Sequence, residues 1–341
     1  MKYCKKCLTT DLRPNALFNE EGVCIPCEYS SSISKKSFLP HLEILKSMLR
    51  DNRAKRKKHP KYDCVVGVSG GKDSTRQAHW VRDRLNLRPL LVCCGYPPLQ
   101  MTYTGTNNLS NLISMGFDLE VFTPAAQSSA QLSLASFKQF GNVAKSTEIA
   151  LYSAVPRIAI EKKIPLILWG ENDALQVGDS AAAGKNYFDA NNLRNLNTLI
   201  EGGINWITNE VGTHKARAYI YPSKSSFDRA KLDIMFLGPA WDDWGLDENS
   251  IYGALTGLTS RPDDIRITGD ISGTSMLDDE FSNINMMIKY YKFGFGRTTD
   301  ICNERIRKNK LTRNEAIKLI EKYDGVCDDS IIQRYCKYVN I

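Results

Sequence analysis

Histidine is scarce: four in 341 residues, His41, His59, His79 and His214. None accompanies a glycine-flanked Ser or Cys elbow, which argues against a side-chain nucleophile activated by imidazole. Long apolar runs are missing too. No stretch reaches the roughly 18 uninterrupted apolar residues of a membrane-spanning helix. The opening MKYCKKC has no apolar segment behind its lysines, so export is not expected and a cytoplasmic protein is. There are no internal repeats and no long low-complexity tracts.

The formal charge is +7, and its distribution says more than its size. Arg53, Lys55, Arg56, Lys57 and Lys58 form one dense run; Arg305, Arg307, Lys308, Lys310 and Arg313 form a second, looser one. Two readings stay open: solvated helix surfaces, or contact with an anionic partner such as nucleic acid or a nucleotide-linked substrate.

Ten cysteines are present, and four are organised. Cys4-Lys-Lys-Cys7 and Cys24-Ile-Pro-Cys27 are two C-x2-C pairs with a hairpin-like stretch between them. Each pair places two thiolates on one tight turn, and two turns complete a tetrahedral site. Four thiolates leave no open position, so the metal is expected to be structural Zn2+, although an iron–sulfur cluster also uses four thiolates. Cys64, Cys93 and Cys94 lie in apolar strand-like runs and read as core. Neighbours on a strand point to opposite faces, so Cys93 and Cys94 do not share a ligand.

SSSIS, 30–34, reads as a flexible joint, followed by a helix with Leu42, Leu45, Met48 and Leu49 at helical spacing and a basic end. From Tyr62 the pattern alternates. Val65 to Val68, PLLVCC, FDLEVF and IPLILWG read as strands; Ala78, Val81 and Leu85, then Leu109, Leu112 and Ile113, and Ile149 to Lys163 read as helices. Such alternation predicts an α/β fold with a doubly wound, mainly parallel sheet and ligands at the strands' C-terminal ends. Between Asn172 and Tyr221 it gives way to Asn-, Gly- and Ala-rich sequence, read as an insertion over that end. LTRNEAIKLIEKYDG carries Thr312 as N-cap, Glu315 closing a capping box and Gly325 past the helix end. The expected domains are 1–34 (knuckle), 35–60 (basic linker helix), 61–230 (sheet domain, insertion about 172–221) and 231–341 (C-terminal substrate- or partner-binding region).

The first strand ends in Ser69-Gly70-Gly71-Lys72-Asp73-Ser74. This is not a Walker A loop: Val66 stands where its first Gly belongs, and Asp73 where its Mg-binding hydroxyl belongs. Two glycines let backbone N–H groups close on an anion, and the following helix adds its positive end. The stretch resembles the pyrophosphate loop, S-G-G-x-D-S, of the ATP pyrophosphatase (PP-loop) superfamily, whose fold is like that of the adenine nucleotide alpha hydrolases. The resemblance implies that Ser69, Gly70, Gly71, Lys72, Asp73 and Ser74 bind ATP with Mg2+, and that AMP and PPi are the products. Lys72 and Asp73 would also be catalytic.

Two families share this loop and the knuckle: tRNA 2-thiolation enzymes, and the N-acetyl sugar amidotransferases of surface-polysaccharide and pseudaminic-acid synthesis. SGGKDSTRQAHWVRDRLNLRPLLV, NLSNLISMGFDLE, LILWGEN and IKYYKFGFGRTTD are similar to the second. Thiolation would want a further C-x-x-C in the middle of the sequence, and there is none. The amidotransferase resemblance implies adenylylation of an acetamido oxygen on a nucleotide-activated sugar, then replacement by ammonia to give an acetamidino group. By the same resemblance Gly170, Glu171 and Asn172 form a second ATP- and Mg-facing motif, Glu171 and Asn172 being catalytic. Asp173 reads as a helix cap. Trp241, Asp242, Asp243 and Arg297 are expected at the substrate, with a surface acidic turn and a carboxylate-paired arginine as the plainer alternatives. Position 2 is Lys2, not the Cys of an N-terminal-nucleophile glutaminase. Ammonia is therefore expected from a separate glutaminase subunit similar to that of imidazole glycerol phosphate synthase, with or without its cyclase-like companion.

Overall fold

The structure is a computed structural model describing residues 1–33, 39–54, 61–170, 178, 181, 183–200, 204–241 and 243–341. Ser34, the run Lys55–Lys58, Glu171, Asn172, Asp173 and Asp242 lie outside the described residues.

Five strands, β1 Cys64–Gly67, β2 Pro89–Cys94, β3 Leu119–Phe122, β4 Leu166–Trp169 and β5 Asp233–Phe236, form one sheet in the order β3-β2-β1-β4-β5. Every pairing is parallel. Helices of nine or more residues are numbered in sequence order. The first six are α1 Ile25–Ile33, α2 Leu39–Ala54, α3 Lys72–Asp83, α4 Tyr103–Ser114, α5 Ala126–Phe140 and α6 Lys145–Glu161. α7 Asn205–Ala216 follows, interrupted at Gly212. The rest are α8 Leu246–Leu255, α9 Ser282–Phe293, α10 Arg297–Arg307, α11 Arg313–Tyr323 and α12 Asp329–Val339.

The strands are apolar throughout because both faces are covered. Val66, Leu91, Cys93 and Leu168 pack with Ala78 and Val81 of α3 and Leu45 and Leu49 of α2. Val65, Leu90, Val92 and Ile167 pack on the other face with Val155 and Ile158 of α6. Cys93 and Cys94 fall into different cores, as strand alternation requires. The order reverses between β1 and β4. The connections leaving those two strands in opposite directions open a crevice beyond their C-terminal ends, where ligands of such sheets bind.

Several expectations change here. Ser30 to Ile33 finish α1 rather than forming a joint, with Ser31 Oγ donating to the Cys27 carbonyl at 2.9 Å. Ile113 is 55% exposed, so α4 buries Leu112 but not Ile113. β5 lies beyond residue 230, so the sheet takes in sequence past the expected boundary. Where described, the stretch up to Tyr221 builds core: Leu193 and Leu196 pack against α6 and β5 residues, and Trp206, Ile207 and Tyr219 fill a third cluster. Its Asn- and Gly-rich sequence hid apolar residues too widely spaced to read as a period. The Thr312–Glu315 capping box is present, and Gly325 follows the helix at φ +76.

Candidate active site and metal-binding knuckle

The phosphate-loop candidate sits at the crevice. Gly70 has φ +80, and a Cβ there would stand 2.8 Å from the Gly105 carbonyl oxygen of α4, so glycine is required. Ser74 Oγ donates to the Gly71 carbonyl at 3.2 Å and accepts from Ser69 N–H at 3.3 Å, closing the loop on itself. Lys72 and Asp73 open α3, and Lys72 Nζ donates to Asp73 Oδ2 at 2.5 Å. Asp73 Oδ1 accepts from Asn249 Nδ2 of α8, also at 2.5 Å.

Ser69, Gly71, Lys72 and Asp73 line a cavity of about 250 Å3. Its other walls come from Tyr96 after β2, from Thr147, Glu148 and Leu151 of α6, and from Met276, Asp278, Asp279, Ser282, Asn285 and Met286. Three carboxyls meet here, Asp279 buried and Glu148 and Asp278 half-buried. Burial raises the Glu148 carboxyl, which accepts from Thr198 Oγ1 at 2.9 Å. It raises Asp278 as well, whose Oδ2 accepts from the Tyr96 hydroxyl at 2.8 Å. Burial, with the Asp278 charge beside it, pushes Asp279 up to about 7. Asp279 Oδ1 accepts from Gln100 Nε2 at 3.0 Å and from the Phe281 and Ser282 N–H groups, where α9 begins.

Sequence reasoning missed Tyr96, Glu148, Asp278, Asp279 and Asn249. The acidic run Asp278-Asp279-Glu280 was a visible signal; Tyr96, Glu148 and Asn249 reach the site only through the fold.

The remaining expected residues are placed as follows. Gly170 follows β4 and is not among the described residues lining this cavity; a Cβ there would press Gln77 Oε1 at 3.0 Å and the Trp244 ring at 3.2 Å. Its carbonyl accepts from Gly238 N–H at 2.7 Å. Trp241 is buried, stacked on Trp244 at 4.2 Å and edge-on to Trp80 at 4.7 Å. Asp243 takes the Arg76 guanidinium, NH2 to Oδ1 at 2.6 Å. Arg297, first residue of α10, is buried behind the cavity wall. It donates to Asn283 Oδ1 at 2.7 Å and to Ser282 Oγ and Met276 Sδ at 3.2 Å each. Burial pulls it down to about 10, against the opposing charge of Asp270, and it makes no carboxylate pair among the described residues.

The four knuckle thiols come together as expected: the sulfurs of Cys4, Cys7, Cys24 and Cys27 lie within 4.8 Å of one another, all buried. Backbone N–H groups of Lys6 and Cys24 donate to Cys4 Sγ at 3.4 and 3.3 Å, and that of Thr9 to Cys7 Sγ at 3.4 Å. Those donors favour thiolates, so the set fits a metal ion. The four thiols share their hydrogen bonds unequally: Cys24 chiefly draws Cys4 well below the usual thiol range and Cys7 to about 6, while the same contacts push Cys24 and Cys27 up.

Residues 276–341 match the family model described as LPS biosynthesis protein WbpG-like, C-terminal domain. The C-terminal segment is WbpG-like. This supports the resemblance to surface-polysaccharide amidotransferases, and the WbpG-like segment supplies Met276, Asp278, Asp279, Ser282, Asn285 and Met286 to the cavity. No curated protein matches the sequence. Among solved structures the protein is similar to the U34-tRNA thiolase NcsA from Methanococcus maripaludis with its 4Fe-4S cluster, at 14% identity and a TM-score of 0.33, with 100% of this protein and 96% of that one covered. No described helix is long and apolar enough to cross a membrane.

Proposed function

We propose that this protein is an ATP-dependent, AMP-forming amidotransferase acting on a nucleotide-activated N-acetyl sugar. One observation carries the reading: a single cavity has the S-G-G-K-D-S loop on one wall and the start of the WbpG-like segment on the other. The loop residues suit the anionic phosphates of ATP, with Lys72 and the α3 N-terminus supplying positive charge. Mg2+ would neutralise the triphosphate, with Asp73 as its protein ligand.

The acetamido oxygen attacks the α-phosphorus. That forms the C–O–P bond and expels PPi, leaving an adenylylated imidate. Ammonia then adds at the imidate carbon, AMP leaves with the oxygen, and the acetamidino group remains. Both steps build positive charge on the amide-derived group, and the cavity carboxyls of Glu148, Asp278 and Asp279 suit that charge. Arg297, bonded to the cavity residues Ser282 and Met276, would hold that wall in place. The four-cysteine knuckle would hold structural Zn2+, its closed donor set leaving no position for substrate. Ammonia would come from a separate glutaminase subunit.

Among the described residues that line the cavity none is a cysteine, which favours amidination over sulfur transfer. The test incubates the purified protein with ATP, Mg2+, ammonium chloride and a panel of UDP- and CMP-linked N-acetyl sugars. The expected result is AMP with a sugar nucleotide lighter by about 1 Da, as an oxygen gives way to NH. Release of ADP in place of AMP, or AMP formed only with tRNA and a sulfur donor, overturns the reading.

A further inference from the structure

Resting on the reading of the loop as an ATP site, we propose that Asn249 is a positioning residue, fixing the loop carboxylate of Asp73 for the nucleotide through a relay that begins at Arg76. Asn249 lies in α8, 176 residues from Asp73, and is wholly buried. Arg76 NH1 donates to Asn249 Oδ1 at 2.8 Å. A guanidinium has only donors, so the amide oxygen must face it. The Asn249 amino group is then turned the other way, where it meets Asp73 Oδ1 at 2.5 Å. Chemistry alone sets the amide's direction.

Arg76 is itself held. NH1 also donates to the Asp243 carbonyl at 3.0 Å, and NH2 to Asp243 Oδ1 at 2.6 Å. The series from Asp243 through Arg76 and Asn249 to Asp73 thus ties the segment before α8 to the phosphate loop. The two oxygens of Asp73 are divided: Oδ1 belongs to this scaffold, Oδ2 to Lys72. Lys72 can leave Asp73 for an incoming phosphate without the carboxylate swinging, because Asn249 keeps the other oxygen. Preorganisation of this kind lowers the ordering cost of binding.

A residue that merely glued α8 to α3 would show the same hydrogen bonds, so the test is a double-mutant cycle on ATP affinity, read without Mg2+ in the full-length protein. Measured without Mg2+, so that loss of a metal ligand does not enter, Asn249→Ala is expected to weaken ATP binding about tenfold in the wild-type background, the scale of one charge-assisted hydrogen bond, and less than about twofold in the Asp73→Ala background, where no side-chain oxygen remains to accept its donor. Equal losses in both backgrounds overturn the proposal. Asn249→Asp is the isosteric companion: it keeps the oxygen for Arg76 and removes the donor toward Asp73. It should also weaken ATP binding without Mg2+, and adding Asp73→Asn should restore about threefold, because the amide donor then sits on the loop side. No recovery counts against the relay. Wild-type protein that binds ATP alongside an equally tight Asn249→Ala sinks the relay alone; wild-type protein that binds no ATP removes the nucleotide reading and the relay with it.

Discussion

Asn303 of α10 accepts the backbone N–H of Leu8 at 2.7 Å, although 295 residues separate them. Around that bond the knuckle is clamped to the C-terminal helices. Asn303 Nδ2 donates to Thr9 Oγ1 at 3.3 Å, Arg313 NH1 to the Cys4 carbonyl at 2.9 Å, and Arg13 pairs with Asp300, which also takes Lys289 Nζ at 2.7 Å. The same α10 begins with Arg297 behind the cavity wall. Knuckle and cavity wall are therefore mechanically connected. Asn303→Ala leaves the buried Leu8 donor unpaired and is expected to cost about 1–3 kcal/mol, measured by urea unfolding. An unchanged midpoint would show that the knuckle is not held this way.

Cys27→Ser should bring bound metal from about one ion per protein molecule to near zero, because three thiolates and a hydroxyl bind far more weakly than four thiolates. Elemental analysis of the purified protein reads this directly. Zinc with no visible absorption band is expected; iron with a brown chromophore would assign the site to a cluster.

Lys72→Met should lower AMP formation by about 100- to 1000-fold, the scale seen when a preorganised donor to developing charge is lost. Its partner Asp73 keeps the Asn249 bond, so the fold should persist. AMP formation at wild-type rate would remove Lys72 from the chemistry.

Asp279 makes stability depend on pH. Its folded value of about 7 lies above the ordinary carboxyl value, so its contribution is complete below about pH 4 and is lost as pH rises through 7. The slope should approach about 1.4 kcal/mol per pH unit, superimposed on contributions of the same sign from Glu148 and Asp278, which burial also raises. Asp279→Asn keeps an oxygen for the Phe281 and Ser282 N–H groups and should flatten that slope between pH 4 and 7. Urea midpoints across the range decide it; parallel curves for both proteins would refute the assignment.

Trp241→Ala should destabilise by about 3–5 kcal/mol while leaving the KM for the sugar nucleotide of the folded fraction unchanged. A raised KM with intact stability would return Trp241 to the substrate.

Local chemistry made much of this protein legible in advance. Two C-x2-C pairs impose tight turns wherever they occur, so the knuckle could be read without knowing the fold. Apolar runs between helical stripes declared four of the five parallel strands, and a Gly pair after the first of them marked the loop. Thr312 and Glu315 wrote a helix start into four residues. Each signal lies within a few residues of what it determines.

The tertiary structure decided what depends on distant partners. Trp241 and Asp243 looked like a binding motif because indole and carboxylate are common at sugar sites. The fold buries Trp241 beside Trp80 and Trp244 and pairs Asp243 with Arg76, contacts no local pattern announced. Glu148, Asp278 and Asp279 are ordinary surface residues by type, and become a site only because α6 and the start of α9 face the loop across one cavity. Asn249 carried no signal at all: its meaning is a direction imposed by Arg76 from α3, and no pattern along the sequence encodes a hydrogen bond between residues 173 positions apart.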